Sequence, residues 1–366
     1  MKKALIVTMH SIINYGSFYQ TIATMALLRN VGCDSDILDY RPLTKRGCYF
    51  LFSSLFEEKF KIKRLISDII YFPSKFCRLV RFRKQQKMYY SSTRIFRSYD
   101  DVKKANLKYD IYLTGSDQVW NPVSNHGLDP VFFLDFLSTE KKIAFSASIG
   151  EECFSEKQIE RLKSFLCNYN AISVREKSAM TFINETCGVD SIVSLDPTLM
   201  IPSEEWKNIL PIDHVKLPLQ KYVLAYILGR ENRVMKYAKK IAAEKGLQIV
   251  KIGGALIKNP PGVINRVSID PVAALAYFKN AEYVVSNSFH GTALSIAFNR
   301  QFITTSNALN SRFSNILSLC GLEDRFVVDD FDIKRALSII DYNEVNSIVN
   351  YMRRKSYCFL EKAINS

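Results

Sequence analysis

The chain contains four histidines, and one of them, His290, stands on the corner of "EYVVSNSFHGTALSIAF", residues 282–298. An apolar strand pattern runs into that corner and an apolar helix pattern runs out of it. A histidine there is either a small polar cap or an acid–base group able to work near neutrality. Gly291 and Thr292 open the helix, and N–H groups at a helix start receive anions. The same helix end disfavours an imidazolium, and a bound dianion restores it. His290 then becomes an acid when an anionic substrate is present. Spacing alone leaves cap and catalyst equally open.

Other loops carry polar residues of the same kind. Arg175 closes "AISVRE", either as a surface cation or as a planar partner for carboxylate or phosphate. Arg312 opens a helix pattern in "SRFSNIL", where a cation opposes the helix dipole and hints at a negative neighbour. "HSIINYGS" brings Asn14, Tyr15, Gly16 and Ser17 to the start of another helix. Gly16 permits close backbone approach, but the loop is neither a G-x-G-x-x-G nor a Walker loop, so a capped turn competes with anion binding. "LTGSDQVWNP" sets Ser116, Asp117, Gln118 and Trp120 at a strand end. Hydroxyls of a sugar would take the polar groups and its face would stack on the indole; a satisfied buried turn explains the cluster equally well.

The elements that position these loops alternate. "KALIVT", "SDILDY", "YDIYLTG", "KKIAFSA", "AISVRE" and "SIVSL" read as strands, with helix patterns between several of them. A Pro-rich polar stretch at 201–220 marks a domain boundary. The alternation then restarts with "YVLAYILG", "LQIVKIGG", "EYVVSNS" and "QFITT". Asp270-Pro271 reads as an N-cap followed by a first-turn proline. The expected fold is therefore α/β, with two Rossmann-like parallel-sheet domains facing a cleft. The expected boundaries are 1–205 for the first domain, with a basic helical insertion at about 41–99, 206–340 for the second, and a final helix at 341–366.

Composition is that of an ordinary globular chain, with 48% hydrophobic and 23% charged residues. No apolar run is long enough for a transmembrane helix, and the start reads as a first strand rather than a signal peptide. The eight cysteines form no C-x-x-C, so neither a zinc site nor a disulfide framework is indicated, and inert thiols of a cytoplasmic protein are expected. Charge is uneven. Residues 41–99 hold fifteen Lys/Arg against three Asp/Glu, most of the chain's net +14. Cations alternate there with Phe, Tyr, Ile and Leu. Such a segment packs as a snorkelling insertion or lies against anionic headgroups. No nucleic-acid motif accompanies it, so no nucleic-acid partner is expected.

Taken in order, "NYGSFYQTIATMALLRNVG", "ILDYRP", "YDIYLTGSDQVWNP", "AISVRE", "LDPTL", "SNSFHGTALSIAFNRQF" and "NSRFSNILSLCGLEDR" resemble the polysaccharide pyruvyl transferase family. The resemblance spans residues 1 to roughly 326 and leaves the basic segment and the last helix outside. It implies a fold like the two-Rossmann glycosyltransferases called GT-B. It implies phosphoenolpyruvate as donor and a sugar of a growing bacterial surface polysaccharide as acceptor, carried on a polyprenyl-diphosphate lipid; the chemistry itself calls for no cofactor or metal, and the sequence offers no metal cluster. The product would be a pyruvate ketal across two hydroxyls; galactose with a 4,6-ketal is the default expectation. By motif the donor site would hold Arg175 and His290, with Gly291 and Thr292 beside it and Arg312 as a further cation. His290 would be the catalytic acid. Asn14, Tyr15, Gly16, Ser17, Ser116, Asp117, Gln118 and Trp120 would line the cleft from the other domain. An acceptor of that kind would bring the enzyme to the inner face of the cytoplasmic membrane. A nucleotide-sugar glycosyltransferase on the same frame, or a non-catalytic glycan-binding subunit, remains the alternative.

Overall fold

Short runs rich in β-branched residues become strands. The computed structural model describes residues 1–43, 46–56, 62–125, 127–150, 154–229, 232–254, 261–306, 311–328 and 332–366. The first six strands are β1 (Lys2–Val7), β2 (Cys33–Ile37), β3 (Ile111–Thr114), β4 (Lys142–Ala147), β5 (Ala171–Val174) and β6 (Ile192–Val193). They form one parallel sheet in the order β2-β1-β3-β4-β5-β6. Every residue of β3 and β4 is buried, as expected for central strands covered on both faces. Leu5, Val7, Tyr112, Trp120, Phe132 and Ile172 belong to the core beneath them.

A second parallel sheet holds β7 (Tyr222–Ile227), β8 (Gln248–Gly253), β9 (Val263–Asn265), β10 (Tyr283–Ser286), β11 (Gln301–Thr305) and β12 (Phe326–Val327), in the order β12-β11-β10-β7-β8-β9. Read from β9 inward and on to β12, this is the third-second-first-fourth-fifth-sixth order of the doubly wound dinucleotide-binding folds. The helix Pro271–Lys279 starts where expected: Asp270 accepts from the Ala273 N–H at 3.0 Å, and Pro271 needs no partner for a missing N–H.

The chain divides into one unit of residues 1–46, 87–200 and 350–366, and another of residues 47–86 and 201–349. The expected boundary near 205 therefore lies at 200/201. The basic segment is not a single insertion in the first domain. Residues 47–86 pack with the second unit, because their polar groups find partners there. Arg78 donates to the Gly254 carbonyl at 3.5 Å, Arg81 to the Ser268 carbonyl at 2.6 Å, and Ser268 Oγ to the Ser74 carbonyl at 2.9 Å. The last helix, Tyr342–Asn365, is shared in the same way. Val345 and Val349 are buried in the second unit. Beyond them, in the first unit, Arg353 donates to the Leu199 carbonyl at 2.7 Å, and Ser356 Oγ accepts from the Leu195 N–H at 2.9 Å. Among the described residues no helix is long and apolar enough to cross a membrane.

Candidate active site

In open α/β sheets ligands sit outside the carboxyl ends of the strands, where strand order reverses. In the second unit that point lies between β7 and β10, and in the first between β1 and β3.

In the second unit β10 ends at Ser286 and His290 lies four residues on. Asn287 ties the two strand ends together: its side chain accepts from the Leu228 N–H at 2.8 Å and donates to the Leu228 carbonyl at 2.9 Å. Ser288 caps the helix Phe289–Ala297, all nine residues of which are buried. An apolar helix of this kind belongs to an interior. Gly291 is there for space: a Cβ would lie 2.2 Å from Ser286 Oγ and 2.9 Å from Tyr226 Cδ1. His290 is on the first turn, 7% exposed, with its ring edge-on to Phe289 at 5.2 Å.

One expectation fails here. Gly291 and Thr292 do not offer their N–H groups to an anion. Gly291 donates to Ser288 Oγ at 3.4 Å and Thr292 to the Ser288 carbonyl at 3.0 Å. The Thr292 hydroxyl is likewise engaged, with the Ser288 carbonyl and with Thr304 Oγ1. A well-capped helix has spent these donors on itself. Arg312 sits half-buried on the helix Ser311–Leu319, which packs against the His290 helix, so the two share one unit.

In the first unit the loops after β1 and β3 meet. Asn14 caps the helix Tyr15–Asn30, accepting from the Gly16 N–H at 2.8 Å. Ser17 Oγ donates to Asp117 Oδ2 at 2.8 Å, and Thr8 Oγ1 to the Ser116 carbonyl at 3.0 Å. Asn14 and Gln118 are half-buried, whereas Tyr15, Gly16, Ser17 and Ser116 are buried. Tyr15 stacks on Tyr19 at 6.5 Å. Trp120 is not a sugar platform: 1% exposed, it lies parallel to Phe133 at 5.6 Å and donates its N–H to the Phe132 carbonyl at 3.2 Å. The indole packs into the core because a carbonyl there meets its one polar atom.

Arg175 does not share a unit with His290. Its guanidinium is buried among carboxylates: Asp196 at 2.7 Å, Glu176 at 3.6 Å and Asp117 at 3.7 Å. Burial opposes its charge, and Asp196, Glu176 and Asp117 together outweigh that and hold the proton more firmly than usual. A cation surrounded by three carboxylates organises those loops and has little field left for a substrate anion.

The sequence reading also passed over a buried pair at the end of β1. His10 faces Asp39 Oδ1 through Nε2 at 3.1 Å and the Thr8 carbonyl through Nδ1 at 3.2 Å. Arg41 holds both oxygens of Asp39, at 2.5 and 2.7 Å. The signal was in "LDYRP": an acid and a base two apart on extended chain point the same way.

The family model for polysaccharide pyruvyl transferases matches residues 14–308. The chain belongs to that family. It is therefore a transferase of the pyruvyl type, connected with polysaccharide. The match opens at Asn14 and takes in every candidate residue except Arg312. A comparison with curated proteins found no match. Among solved structures, the chain is similar to the UDP-N-acetylglucosamine 2-epimerase from Rickettsia bellii, at 10% identity and a TM-score of 0.53, over 100% of this chain and 97% of that one. It is also similar to the UDP-GlcNAc 2-epimerase from Neisseria meningitidis bound to UDP-GlcNAc, at 10% identity and a TM-score of 0.50, over 97% and 94%. These likenesses carry the fold alone: α/β, with two parallel-sheet domains of the GT-B kind.

Proposed function

We propose that this pyruvyl transferase uses phosphoenolpyruvate and builds a ketal on a sugar, with His290 as the acid. The observation that carries the reading is the position of His290: on a helix start at the switch point of a doubly wound sheet, inside the matched segment. A proton goes from the imidazolium to the methylene carbon of the enol phosphate. The cation left at the central carbon is attacked by one sugar hydroxyl, which gives up its proton to the now neutral imidazole. The second hydroxyl then displaces phosphate, which leaves with that hydroxyl's proton, and the ring closes. Arg312 supplies a fixed positive charge for the donor's carboxylate or phosphate. Arg175 takes a positioning part, holding Asp117 and with it Ser17. Asn14 and Gln118 in those loops are half-buried. The acceptor in this reading is a sugar of a lipid-linked surface-polysaccharide precursor.

A nucleotide-sugar enzyme on the same frame is the second reading, favoured by the likeness to proteins that act on UDP-N-acetylglucosamine. Thermal-shift titration separates the two. Phosphoenolpyruvate should raise the melting temperature, and Arg312→Gln should weaken that response at least about tenfold in concentration. Stabilisation by UDP and none by phosphoenolpyruvate would overturn the donor.

A further inference from the structure

The helix Ile62–Tyr89 has its apolar stripe on the wrong side for a core helix. Ile62, Ile66, Ile69 and Ile70 recur at three- and four-residue steps, Phe76 follows Ile69 two turns on and Val80 follows Phe76 by four, so they share one face. All six are between 46% and 66% exposed. The opposite side is already filled: Phe82 is fully buried, and buried Asp68 takes Lys75 Nζ at 2.6 Å and Ser54 Oγ at 2.7 Å. From Ile62 to Val80 the stripe runs about 27 Å at the helical rise. The helix carries eight Lys/Arg and one Asp, and Arg81, Lys84 and Lys87 are exposed beyond the C-terminal end of the stripe.

We propose that this face docks in the plane of a bilayer rich in anionic phospholipid, with the isoleucines, Phe76 and Val80 among the acyl chains and the cations at the headgroups. Charge complementarity selects that occupant. A second copy laid face to face and in parallel would set Lys84 and Lys87 against like charges. A nucleic acid would find branched aliphatic side chains where it needs rings to stack on. An anionic leaflet meets both features, because apolar area and cations add in interfacial binding. The surface lies on residues 62–89, outside the loops of the candidate site. The proposal does not depend on which reaction the protein performs.

The test is flotation of the full chain with vesicles. Binding to phosphatidylcholine containing phosphatidylglycerol should exceed binding to phosphatidylcholine alone at least about tenfold and fall as salt rises. The double variant Ile66→Asp, Ile70→Asp should lose at least about tenfold in vesicle binding with an unchanged melting temperature, since both side chains are exposed. Lys84→Glu with Lys87→Glu should lose the preference for anionic lipid. Absence of binding to anionic vesicles, or equal binding by the isoleucine variant, would overturn the proposal. So would a wild-type dimer that the isoleucine variant dissolves into monomers, or binding to single-stranded nucleic acid in preference to vesicles.

Discussion

His290 and Arg175 look alike in sequence, each a polar residue at a strand end, and they part company once their neighbours are known. His290 stands on a fully buried helix with the Phe289 ring edge-on to it. Arg175 is held by Asp117, Glu176 and Asp196. Arg175→Gln would remove the guanidinium that three buried carboxylates share. Its unit should lose about 3–5 kcal/mol, read from the urea unfolding transition. A shift below about 1 kcal/mol would remove the organising part given to Arg175. Asp39 supplies a pH test. Burial would raise its carboxyl; hydrogen bonds and charges from His10 and Arg41 more than offset that and bring it from 3.8 to about 2. A carboxyl depressed in the folded state stabilises above its unfolded value and loses that contribution as pH falls through its folded value. Stability should therefore drop by about 2 kcal/mol from this group between about pH 4 and about pH 2. Asp39→Asn should flatten that part of the profile; identical slopes for variant and wild type would contradict the pairing. Arg175 was legible as a cation at a strand end, but its carboxylates come from residues 58 positions before it to 21 after, and separation in sequence hides such a cluster.

At the scale of elements, the turn from β10 into the His290 helix depends on the missing side chain of Gly291. Gly291→Ala puts a methyl 2.2 Å from Ser286 Oγ and 2.8 Å from its Cβ, and a serine has no length with which to swing aside. Overpacking of this kind costs about 1–3 kcal/mol. The loss should appear as a lower melting temperature, and an unchanged one would mean that β10 and the helix can slide apart. Elements long enough to show a period were readable: the Asp270-Pro271 start, the β10 run and the apolar helix after it. Two strands escaped, Val263–Asn265 and Phe326–Val327, because three and two residues are too few for any periodicity. The helix at Tyr15 takes in Gly16 and Ser17, which read in sequence as loop, because Asn14 supplies its cap and draws them into the first turn. Trp120 misled for another reason. Composition shows that an indole is near polar residues but not which way it faces, and here a core carbonyl decided it.

At the scale of the whole molecule, strands alternating with helices were enough to foresee two parallel sheets, since crossover connections permit little else. Strand order was not legible: nothing in the chain says that β7 would lie between β8 and β10 and so put His290 at a switch point. Nor did charge say which unit the basic segment would join. That was settled by the Gly254 and Ser268 carbonyls, about 180 residues further along. Family membership fixes the class of reaction, and the strand order puts the proposed acid, His290, beside the switch point of the second sheet. The most direct test is turnover: incubation with phosphoenolpyruvate and a panel of lipid-linked oligosaccharides, followed by phosphate assay and mass spectrometry of the glycan. The expected result is phosphate released together with a glycan heavier by one pyruvic acid less one water, and a fall of at least about 100-fold in that rate for folded His290→Ala. Full turnover by His290→Ala, or transfer of a sugar from a nucleotide instead, would contradict the account.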